Sequence, residues 1–481
     1  MSRILMVTPE AAPFAKTGGL AEVLGSLPRA LAAIGEEVVV VMPRYQSVVI
    51  PASERVWHAM PITMGPYTYI VAIDQVVVPA AMQNGASQNG PGVRYMFVDC
   101  PPLFGRPGIY GEWGADYGDN HIRFGLLNLA AIGIGREIFR PDVFHGHDWP
   151  AGLLGPYLRE MLKADPTFFG AKIALTIHNI GYQGNFPASI AGDLGLDGRV
   201  VHPEGAEFWG LVSFLKSGIV WADAVTTVSP AYAREIQTPE YGYGLDGLLR
   251  QKSDRVTGIL NGADYEEWNP AIDPYIAANY SAHDLSGKWQ AKKALLEELH
   301  LTAEPSRPLI GIVSRFAYQK GFDLLGPIAP ELAAEDLTLV ALGSGEQYVE
   351  QIFRDLARAH PHHFAVQFGY DHALSHRIFA GSDMFLMPSR YEPCGLGQIY
   401  AMRYGTIPIV RATGGLDDTV DDATGFKFHD HTPEDLLAAI RSALAAWKDQ
   451  SQWRNRMLAG MHKDFSWDAS ALEYQKLYRS L

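Results

Sequence analysis

The chain has 481 residues, of which 47% are hydrophobic and 19% charged, and its formal net charge at pH 7 is −14. This length is too great for one ordinary core, so we expect two domains. The negative charge argues against a polyanion such as DNA as the main partner, whereas a neutral polymer meets no such objection. Cys100 and Cys394 are the only cysteines, which excludes a disulfide framework and a cysteine-based zinc cluster.

The chain is expected to be cytoplasmic and to have no membrane partner. No stretch approaches the roughly 20 apolar residues that span a bilayer, and the apolar run Ile4–Val7 is too short for a signal peptide. The turn-rich segment 82–92 is predicted to be mobile.

The first half begins with a βαβ pattern. Residues 4–7 form a predicted strand, apolar residues from Leu20 to Leu31 recur at helical spacing, and 38–42 is a second buried strand. Pro28 is expected to kink or shorten the intervening helix. Residues 142–145 and 172–177 are predicted as further short strands that end in polar loops.

The second half has the same alternation of short apolar runs with helix-length segments. The runs are 309–313, 337–342, 364–368, 384–387 and 407–410. We therefore predict an α/β protein with two Rossmann-like, doubly wound domains, 1–245 and 246–459, facing each other across a deep cleft. In such sheets ligands bind beyond the carboxyl ends of the strands.

The first loop predicts a phosphate contact. Lys16, Gly18 and Gly19 lead directly into a helix, whose free N–H groups and positive dipole end suit an anion. A tight turn with a solvated lysine remains equally compatible with this loop.

Two cations follow the predicted strand 309–313. Arg315 and Lys320 can both reach one diphosphate and stabilise a departing nucleotide without a metal. The alternative is a pair of ordinary surface cations.

Two further loops open helices in the second half. Glu392 precedes Cys394, Gly395 and Leu396, and offers a fixed acceptor to a sugar hydroxyl or a phosphate-bearing loop. Its alternative role is a carboxylate favoured by the helix dipole, and Cys394 is as readily a packed thiol. Thr413 with Gly414 forms a second candidate phosphate loop.

Polar and aromatic loops in the first half suggest sugar contacts. His147, Asp148 and Trp149 follow one predicted strand, and His178 with Asn179 follows the next. The histidines lack a clear motif for a third zinc ligand, so no metal is predicted. An ordinary hydrogen-bonded loop histidine remains the alternative for His178.

Together these motifs resemble bacterial glycogen synthases and plant starch synthases, in order and over nearly the whole chain. The matching segments are Lys16–Leu20, His147–Trp149, Thr176–Asn179, Leu260–Gly262, Ser314–Arg315, Lys320–Gly321, Glu392–Leu396, Thr413–Leu416 and Phe465–Asp468.

The resemblance implies a GT-B glycosyltransferase of family 5, whose terminal helix, about 460–481, crosses back to the first domain. It implies retaining transfer of glucose from ADP-glucose to the non-reducing end of an α-1,4-glucan such as glycogen or a maltooligosaccharide, without metal or prosthetic group. The implied catalytic residues are Lys16, Asp148, His178, Arg315, Lys320 and Glu392. The implied substrate contacts are Lys16, Gly18, Gly19, Asn179, Asn261, Arg315, Lys320, Tyr370, Asp371, Glu392, Cys394, Gly395, Leu396, Thr413 and Gly414.

Two positions depart from the family pattern. Glu22 stands where the family commonly has Asp, and its extra methylene could shift a hydrogen bond near the ribose or phosphates. Tyr400 stands where related retaining transferases often carry a second Glu, although bacterial synthases often lack that Glu as well.

No pair of carboxyls suggests the double displacement of a retaining glycosidase. We therefore expect same-face substitution through an oxocarbenium-like transition state, with domain closure excluding water. A sucrose-type synthase, a pyridoxal-phosphate phosphorylase and a silent glucan-binding protein are the alternatives. Residue chemistry alone leaves the donor base, oligomeric state and regulation open.

Overall fold

The computed structural model describes residues 1–50, 53–80, 92–302, 304 and 306–481. Residues 82–91 of the segment predicted to be mobile lie outside this range. The chain divides into two compact units. Unit 1 comprises Met1–Val228, Ala233–Gly262 and Trp467–Leu481, and unit 2 comprises Ser229–Tyr232 and Ala263–Ser466.

The strands in the described residues are short, as the apolar runs predict. They are β1 (Arg3–Val7), β2 (Glu37–Pro43), β3 (Glu54–Met64), β4 (Tyr67–Val78), β5 (Val93–Asp99), β6 (Gly111–Glu112), β7 (Ala115–Asp116), β8 (Val143–His147), β9 (Lys172–Ile177), β10 (Asn185–Pro187), β11 (Glu207–Phe208), β12 (Leu211–Ser213), β13 (Ala224–Thr227), β14 (Val256–Gly258), β15 (Leu309–Val313), β16 (Thr338–Gly343), β17 (Phe364–Phe368), β18 (Met384–Met387), β19 (Ile407–Arg411) and β20 (Phe426–Phe428).

The α-helices alternate with these strands. They are α1 (Gly19–Ala33), α2 (Pro101–Phe104), α3 (Asn120–Ile134), α4 (Leu154–Pro156), α5 (Phe214–Trp221), α6 (Pro230–Glu235), α7 (Asp246–Gln251), α8 (Ser286–Glu298), α9 (Ala329–Ala334), α10 (Gln347–Ala359), α11 (His372–Gly381), α12 (Gly397–Arg403), α13 (Gly414–Thr419), α14 (Pro433–Trp447), α15 (Gln450–Met461) and α16 (Trp467–Ser480). Wider π turns continue α3 and α4 at Gly135–Phe139 and Tyr157–Met161, and 3₁₀ turns occur at Trp149–Ala151, Pro166–Phe168, Ala188–Ala191, Ser253–Arg255, Tyr318–Lys320 and Phe322–Leu325.

The main sheet of unit 1 has the order β14-β13-β9-β8-β1-β2-β5-β4-β3. The pairings from β14 to β5 are parallel, as expected for strands separated by helices, and β4 and β3 extend the sheet antiparallel. The predicted strands at 4–7, 38–42, 142–145 and 172–177 are thereby confirmed, whereas the sequence analysis did not anticipate the β3–β4 hairpin.

Helix α1 runs without interruption through Pro28, so the predicted shortening is wrong. Proline has no N–H, and a helix that contains it leaves the carbonyl four residues earlier without its usual donor. That carbonyl belongs to Leu24, and the buried hydroxyl of Tyr95 in β5 donates to it at 2.8 Å. A neighbouring strand therefore supplies the hydrogen bond that the helix lacks.

The sheet of unit 2 is entirely parallel, with the order β17-β16-β15-β18-β19-β20. Its first five strands in the chain lie at the five predicted apolar runs, and Ile310, Ile312 and Phe385 are examples of fully buried side chains on them. The predicted two-domain α/β architecture with parallel sheets is confirmed.

Unit 1 extends further along the chain than residue 245, where the sequence analysis placed its boundary. After α7, β14 pairs in parallel with β13 as far as Gly258, and unit 1 continues to Gly262. Short strands such as β14 carry too few residues for their period to be read from sequence.

The terminal helix α16 belongs to unit 1. The Tyr478 hydroxyl lies 2.8 Å from Nδ1 of His145, and the Ser470 hydroxyl donates to the Leu260 carbonyl oxygen at 2.6 Å. In the part of the chain described here, no helix is both long enough and apolar enough to cross a bilayer.

Candidate active site

The loop between β1 and α1 is held by a buried carboxylate. Glu10 accepts hydrogen bonds from the Thr17 backbone N–H at 2.6 Å and from the Thr17 hydroxyl. The Tyr110 hydroxyl donates to the same carboxyl at 3.1 Å. Burial raises the pKa of Glu10, and the hydrogen bonds from Thr17 oppose that rise. These contacts fix the backbone next to Lys16.

The two glycines of this loop face open space. Apart from adjacent residues and nearby backbone of α1, no atom of the described residues lies within 4 Å of a Cβ built on Gly18 or Gly19, so packing within the chain does not explain why side chains are missing there. No side chain of the described residues caps the start of α1. The loop therefore leaves room for a ligand at a helix N-terminus, where backbone N–H groups favour an anion.

Lys16 lies at this opening and forms an ion pair with Glu22. Its Nζ is 2.7 Å from Oε1 of Glu22, and both side chains are partly exposed. The longer side chain at position 22 thus reaches the lysine, and a bound anion would compete with it.

Asp148 is buried directly after β8 in a strained conformation. Its φ of 55° is one that non-glycine residues rarely adopt. Oδ1 accepts hydrogen bonds from the backbone N–H groups of His178 at 2.7 Å and Asn179 at 3.4 Å. Burial raises the pKa of Asp148 to about 7 in spite of these bonds. This carboxyl therefore changes its charge near neutral pH.

Three histidines form a buried chain beside Asp148. His147 Nδ1 lies 3.0 Å from Nε2 of His178, and the rings of His145 and His147 are 4.2 Å apart. Burial lowers the pKa of His145 and His178 to about 3 and that of His147 well below its ordinary value. All three imidazoles are therefore neutral at pH 7.

Two asparagines complete the predicted set in unit 1. Asn179 uses Oδ1 to accept a hydrogen bond from the Gly181 N–H at 3.0 Å. Asn261 is buried, and its Oδ1 has no hydrogen-bond partner among the described residues. An unpaired buried amide oxygen is costly and is a place where a ligand hydroxyl could donate.

In unit 2, Lys320 and Glu392 form a close ion pair from the loops that follow β15 and β18. Lys320 Nζ lies 2.6 Å from Oε2 of Glu392, which also accepts from the Ser389 hydroxyl at 3.0 Å. Glu392 is only 5% exposed. The pair therefore has a fixed geometry and little contact with water, which strengthens its field.

The loops that carry Glu392 and Thr413 are packed tightly against each other. A Cβ built on Gly414 would lie 2.0 Å from the Glu392 carbonyl oxygen, and φ at Gly395 is 72°. Glycine is therefore required by the backbone at both positions. Cys394 is buried, and Leu396, two residues later, immediately precedes α12.

The other predicted residues of unit 2 differ in exposure. Arg315 is exposed, and its guanidinium has no hydrogen-bond or ion-pair partner among the residues that the structure describes. Tyr370 is 77% exposed, and its hydroxyl lies 3.1 Å from Nδ1 of His372. Asp371 caps α11 by accepting from the Leu374 N–H, so it has a structural role. Thr413 is buried before α13.

Two family models match successive parts of this chain. The model described as the starch synthase catalytic domain matches residues 3–251, and the model described as glycosyl transferases group 1 matches residues 300–457. The chain is 47% identical to a glycogen synthase of Koribacter versatilis, with 99% of this chain and 97% of the relative aligned. It is 48% identical to a glycogen synthase of an Anaeromyxobacter species, with 99% of each aligned.

The chain belongs to the glycogen synthase and starch synthase family. A solved structure described as the catalytic domain of Arabidopsis thaliana starch synthase IV bound to ADP and acarbose superposes with a TM-score of 0.88 at 34% identity, covering 100% of this chain and 99% of that one. A sucrose-phosphate synthase of Thermosynechococcus elongatus superposes with a TM-score of 0.59 at 18% identity, covering 100% and 99% of the two chains, which reflects a shared fold.

Two anchoring side chains in unit 1, Glu10 and Tyr110, lie outside the motifs of the sequence analysis. Ser389 lies in the same loop as Glu392 and donates to it, but the sequence analysis assigned it no role. The signal available for Glu10 was an acidic residue within the small and apolar stretch 9–15 of the loop after β1. Tyr400, where the sequence analysis noted the absence of a second Glu, stacks on Trp268 with ring centroids 4.1 Å apart and is part of the core.

Proposed function

We propose that this family member is a hexosyltransferase that moves glucose from ADP-glucose to the non-reducing end of an α-1,4-glucan and releases ADP. The observation that carries the proposal is its full-length similarity to glycogen synthases. Hydrogen bonds hold the predicted loops in place within each unit, between Lys320 and Glu392 in unit 2 and between the His178 N–H and Asp148 in unit 1, and they add support.

In the proposed reaction, unit 2 binds the donor. Lys320 and the exposed guanidinium of Arg315 stabilise the charge that develops on the departing diphosphate. The Lys320–Glu392 ion pair supports this role because it holds the ammonium group in one position. Further donor contacts are proposed for Tyr370, Asp371, Glu392, Cys394, Gly395, Leu396, Thr413 and Gly414.

Unit 1 contributes a second set of groups to the proposed reaction. The open glycines Gly18 and Gly19 let phosphate oxygens approach the start of α1, and Lys16 adds a positive charge. Asp148, His178, Asn179 and Asn261 are proposed to contact the glucose and the acceptor. The buried, unpaired Oδ1 of Asn261 supports this assignment because a sugar hydroxyl can donate to it.

Glu392 is proposed to orient hydroxyl groups and not to attack the sugar. Its carboxylate already accepts a hydrogen bond from Ser389 and forms an ion pair with Lys320. With no second carboxyl predicted as a partner, same-face substitution through an oxocarbenium-like transition state explains retention better than double displacement does. The departing phosphate would then take the proton of the acceptor hydroxyl.

The proposed transfer needs no metal or prosthetic group, because Lys16, Arg315 and Lys320 provide the positive charge that a metal would otherwise supply. The proposed reaction takes place in the cytoplasm, and the protein's partners in it are ADP-glucose and the glucan.

The deciding experiment measures glucose transfer onto glycogen from ADP-glucose and from UDP-glucose, each with EDTA present. We expect fast transfer from ADP-glucose alone. Transfer from UDP-glucose alone would overturn the donor assignment, a requirement for added metal would overturn the proposed charge stabilisation, and no transfer from either donor would favour a glucan-binding protein.

A further inference from the structure

We propose that unit 2 contains a binding site for a divalent transition metal, formed by Glu267, His372 and His376. One ligand atom from each of these side chains lies within 4.8 Å of the other two. None of the three is among the residues proposed for glucose transfer, and the inference does not depend on that function.

His376 is the observation that distinguishes this cluster from an ordinary surface group. Its side chain is fully buried, and its Nδ1 lies 2.8 Å from Oδ2 of Asp273. Its Nε2 is buried and has no hydrogen-bond partner among the described residues. A buried ring nitrogen in this state lacks the partner that folding normally supplies, and a metal ion would provide one.

The surroundings of His376 are those of a metal-binding histidine. A carboxylate on the second ring nitrogen, here from Asp273, orients the imidazole and makes it a better ligand. Asp273 is itself held by the Tyr404 hydroxyl and the Tyr275 N–H. Trp268 stacks on the His376 ring with centroids 3.9 Å apart and planes 9° apart. The ring therefore has a fixed orientation before any metal binds.

The other two side chains approach from positions that can adjust. His372 lies one turn before His376 on α11, so both project from the same helix face. His372 Nε2 is 3.3 Å from Oε1 of Glu267. Ligands of a tetrahedral zinc ion are about 3.4 Å apart, so a small movement of partly exposed side chains closes the site.

The ligand chemistry selects the class of metal. Two imidazole nitrogens and one carboxylate oxygen suit Zn²⁺, Co²⁺, Ni²⁺ or Cu²⁺, whereas Mg²⁺ and Ca²⁺ prefer oxygen ligands alone. Three protein ligands leave a fourth position of a tetrahedral ion open to water.

The test uses the full chain, freed of metal by chelation and then dialysed into chelator-free buffer. Co²⁺ is titrated while visible d–d absorption is recorded, and Zn²⁺ binding is measured by calorimetry. We expect one saturable ion per chain, Co²⁺ bands typical of four or five ligands that Zn²⁺ displaces, and a higher Tm with Zn²⁺.

His372→Ala is the main variant, because its partly exposed side chain can be removed without leaving Asp273 unpaired. We expect it to weaken Zn²⁺ binding about 100-fold, since the loss of a supporting residue alone typically costs tenfold to 100-fold. Glu267→Gln should weaken binding while keeping the side-chain shape. Metal-free Tm values should stay close to that of the parent.

His362→Ala is the matched control. His362 is an exposed histidine of unit 2, and it lies in the segment 360–363, which precedes α11 in the chain and contains three histidines. The variant should bind Zn²⁺ like the parent. The proposal is overturned if the parent shows no saturable binding, if His372→Ala binds like the parent, or if binding disappears with His362→Ala, which would move the ion to the surface segment.

Discussion

At the scale of single residues, electrostatics in buried surroundings governs the candidate site. Lys320 and Glu392 are separated by 72 residues in the chain, yet their charged atoms lie 2.6 Å apart and are largely shielded from water. A charge held in this way needs little reorganisation when negative charge develops on a leaving group. Lys320 is therefore the residue whose removal should affect turnover most directly.

Lys320→Ala should lower kcat by about 100-fold to 1,000-fold at saturating donor, the usual effect of removing one preorganised donor. The measurement is steady-state transfer from ADP-glucose, with circular dichroism to verify folding. Lys293→Ala, which removes an exposed lysine paired with Glu297 on α8 at 3.8 Å, should leave kcat unchanged. An unaltered kcat in Lys320→Ala would refute leaving-group stabilisation by this residue.

Asp148 should make stability depend on pH near neutrality. Burial raises its pKa in the folded chain to about 7, above the unfolded value. The folded state therefore binds the proton more tightly, and ionisation of Asp148 destabilises the fold progressively as pH rises from about 4 to 7. Every tenfold difference in proton affinity between the folded and unfolded chains corresponds to about 1.4 kcal/mol.

Asp148→Asn removes this titration while retaining an oxygen that can accept from the His178 and Asn179 N–H groups. The free energy of unfolding of the variant minus that of the parent should therefore increase as pH rises from 5 to 8. Urea unfolding at several pH values measures this difference. The buried histidines titrate in both proteins, so their contributions largely cancel in the difference. A difference that does not vary with pH would contradict the raised pKa.

At the scale of elements, Pro28 and Tyr95 show how a strand can maintain a helix. The Tyr95 hydroxyl donates a hydrogen bond to the carbonyl freed by proline, at Leu24. Because both groups are buried, water cannot readily replace the bond. Helix α1, which follows the candidate phosphate loop, therefore stays continuous although it lacks one of its internal hydrogen bonds.

Tyr95→Phe should reduce the free energy of unfolding by about 1–3 kcal/mol, because it leaves the Leu24 carbonyl buried and unsatisfied. The change is measured as a lower urea midpoint for the transition of unit 1. Tyr67→Phe is the control, since that side chain is 54% exposed and should have little effect. Equal stability of the two variants would mean that the Leu24 carbonyl finds another donor.

The strands and helices also show which sequence signals were sufficient to predict an element. Buried parallel strands such as β15 and β18 were predicted to the residue because they carry no polar side chain and are bounded by polar residues or proline. Strand β3 lacks such a continuous apolar run, whereas β4 contains one, Tyr69–Ile73, that the sequence analysis did not recognise as a strand. Pro28 was misjudged because the donor that compensates for it lies far along the chain, in β5.

At the scale of the whole molecule, the chain returns to unit 1 after completing unit 2. Helix α16 buries Trp467, Tyr474 and Tyr478 within unit 1, and Tyr478 lies within hydrogen-bond distance of His145 in β8. Residues at the carboxyl end of the sequence therefore support the strand that precedes Asp148.

Removal of residues 467–481 should speed amide hydrogen exchange in α1 and β8, whereas β15 and β18 of unit 2 should exchange as before. Hydrogen-exchange mass spectrometry makes this comparison peptide by peptide. Tyr478→Phe is the milder variant, and it should affect β8 while the rest of α16 stays protected. Faster exchange throughout unit 2 would show that α16 supports both units.

The sequence by itself determined the alternation of strands and helices in two α/β halves, because buried parallel strands carry continuous apolar runs. It also determined the loops that bear Lys16, Arg315, Lys320 and Glu392, because glycines and cations directly after strands form a local pattern. The similarity of those loops to glycogen and starch synthases required no coordinates.

Only the tertiary structure decided which groups of the candidate site are charged at neutral pH and which side chains hold them in place. The raised pKa of Asp148, the neutral histidines and the pairing of Lys320 with Glu392 depend on burial and on partners distant in the chain. The assignment of β14 and α16 to unit 1 depends on pairing with distant strands and helices. Local sequence patterns carry no information about such contacts, because desolvation and long-range packing arise only when the chain is folded.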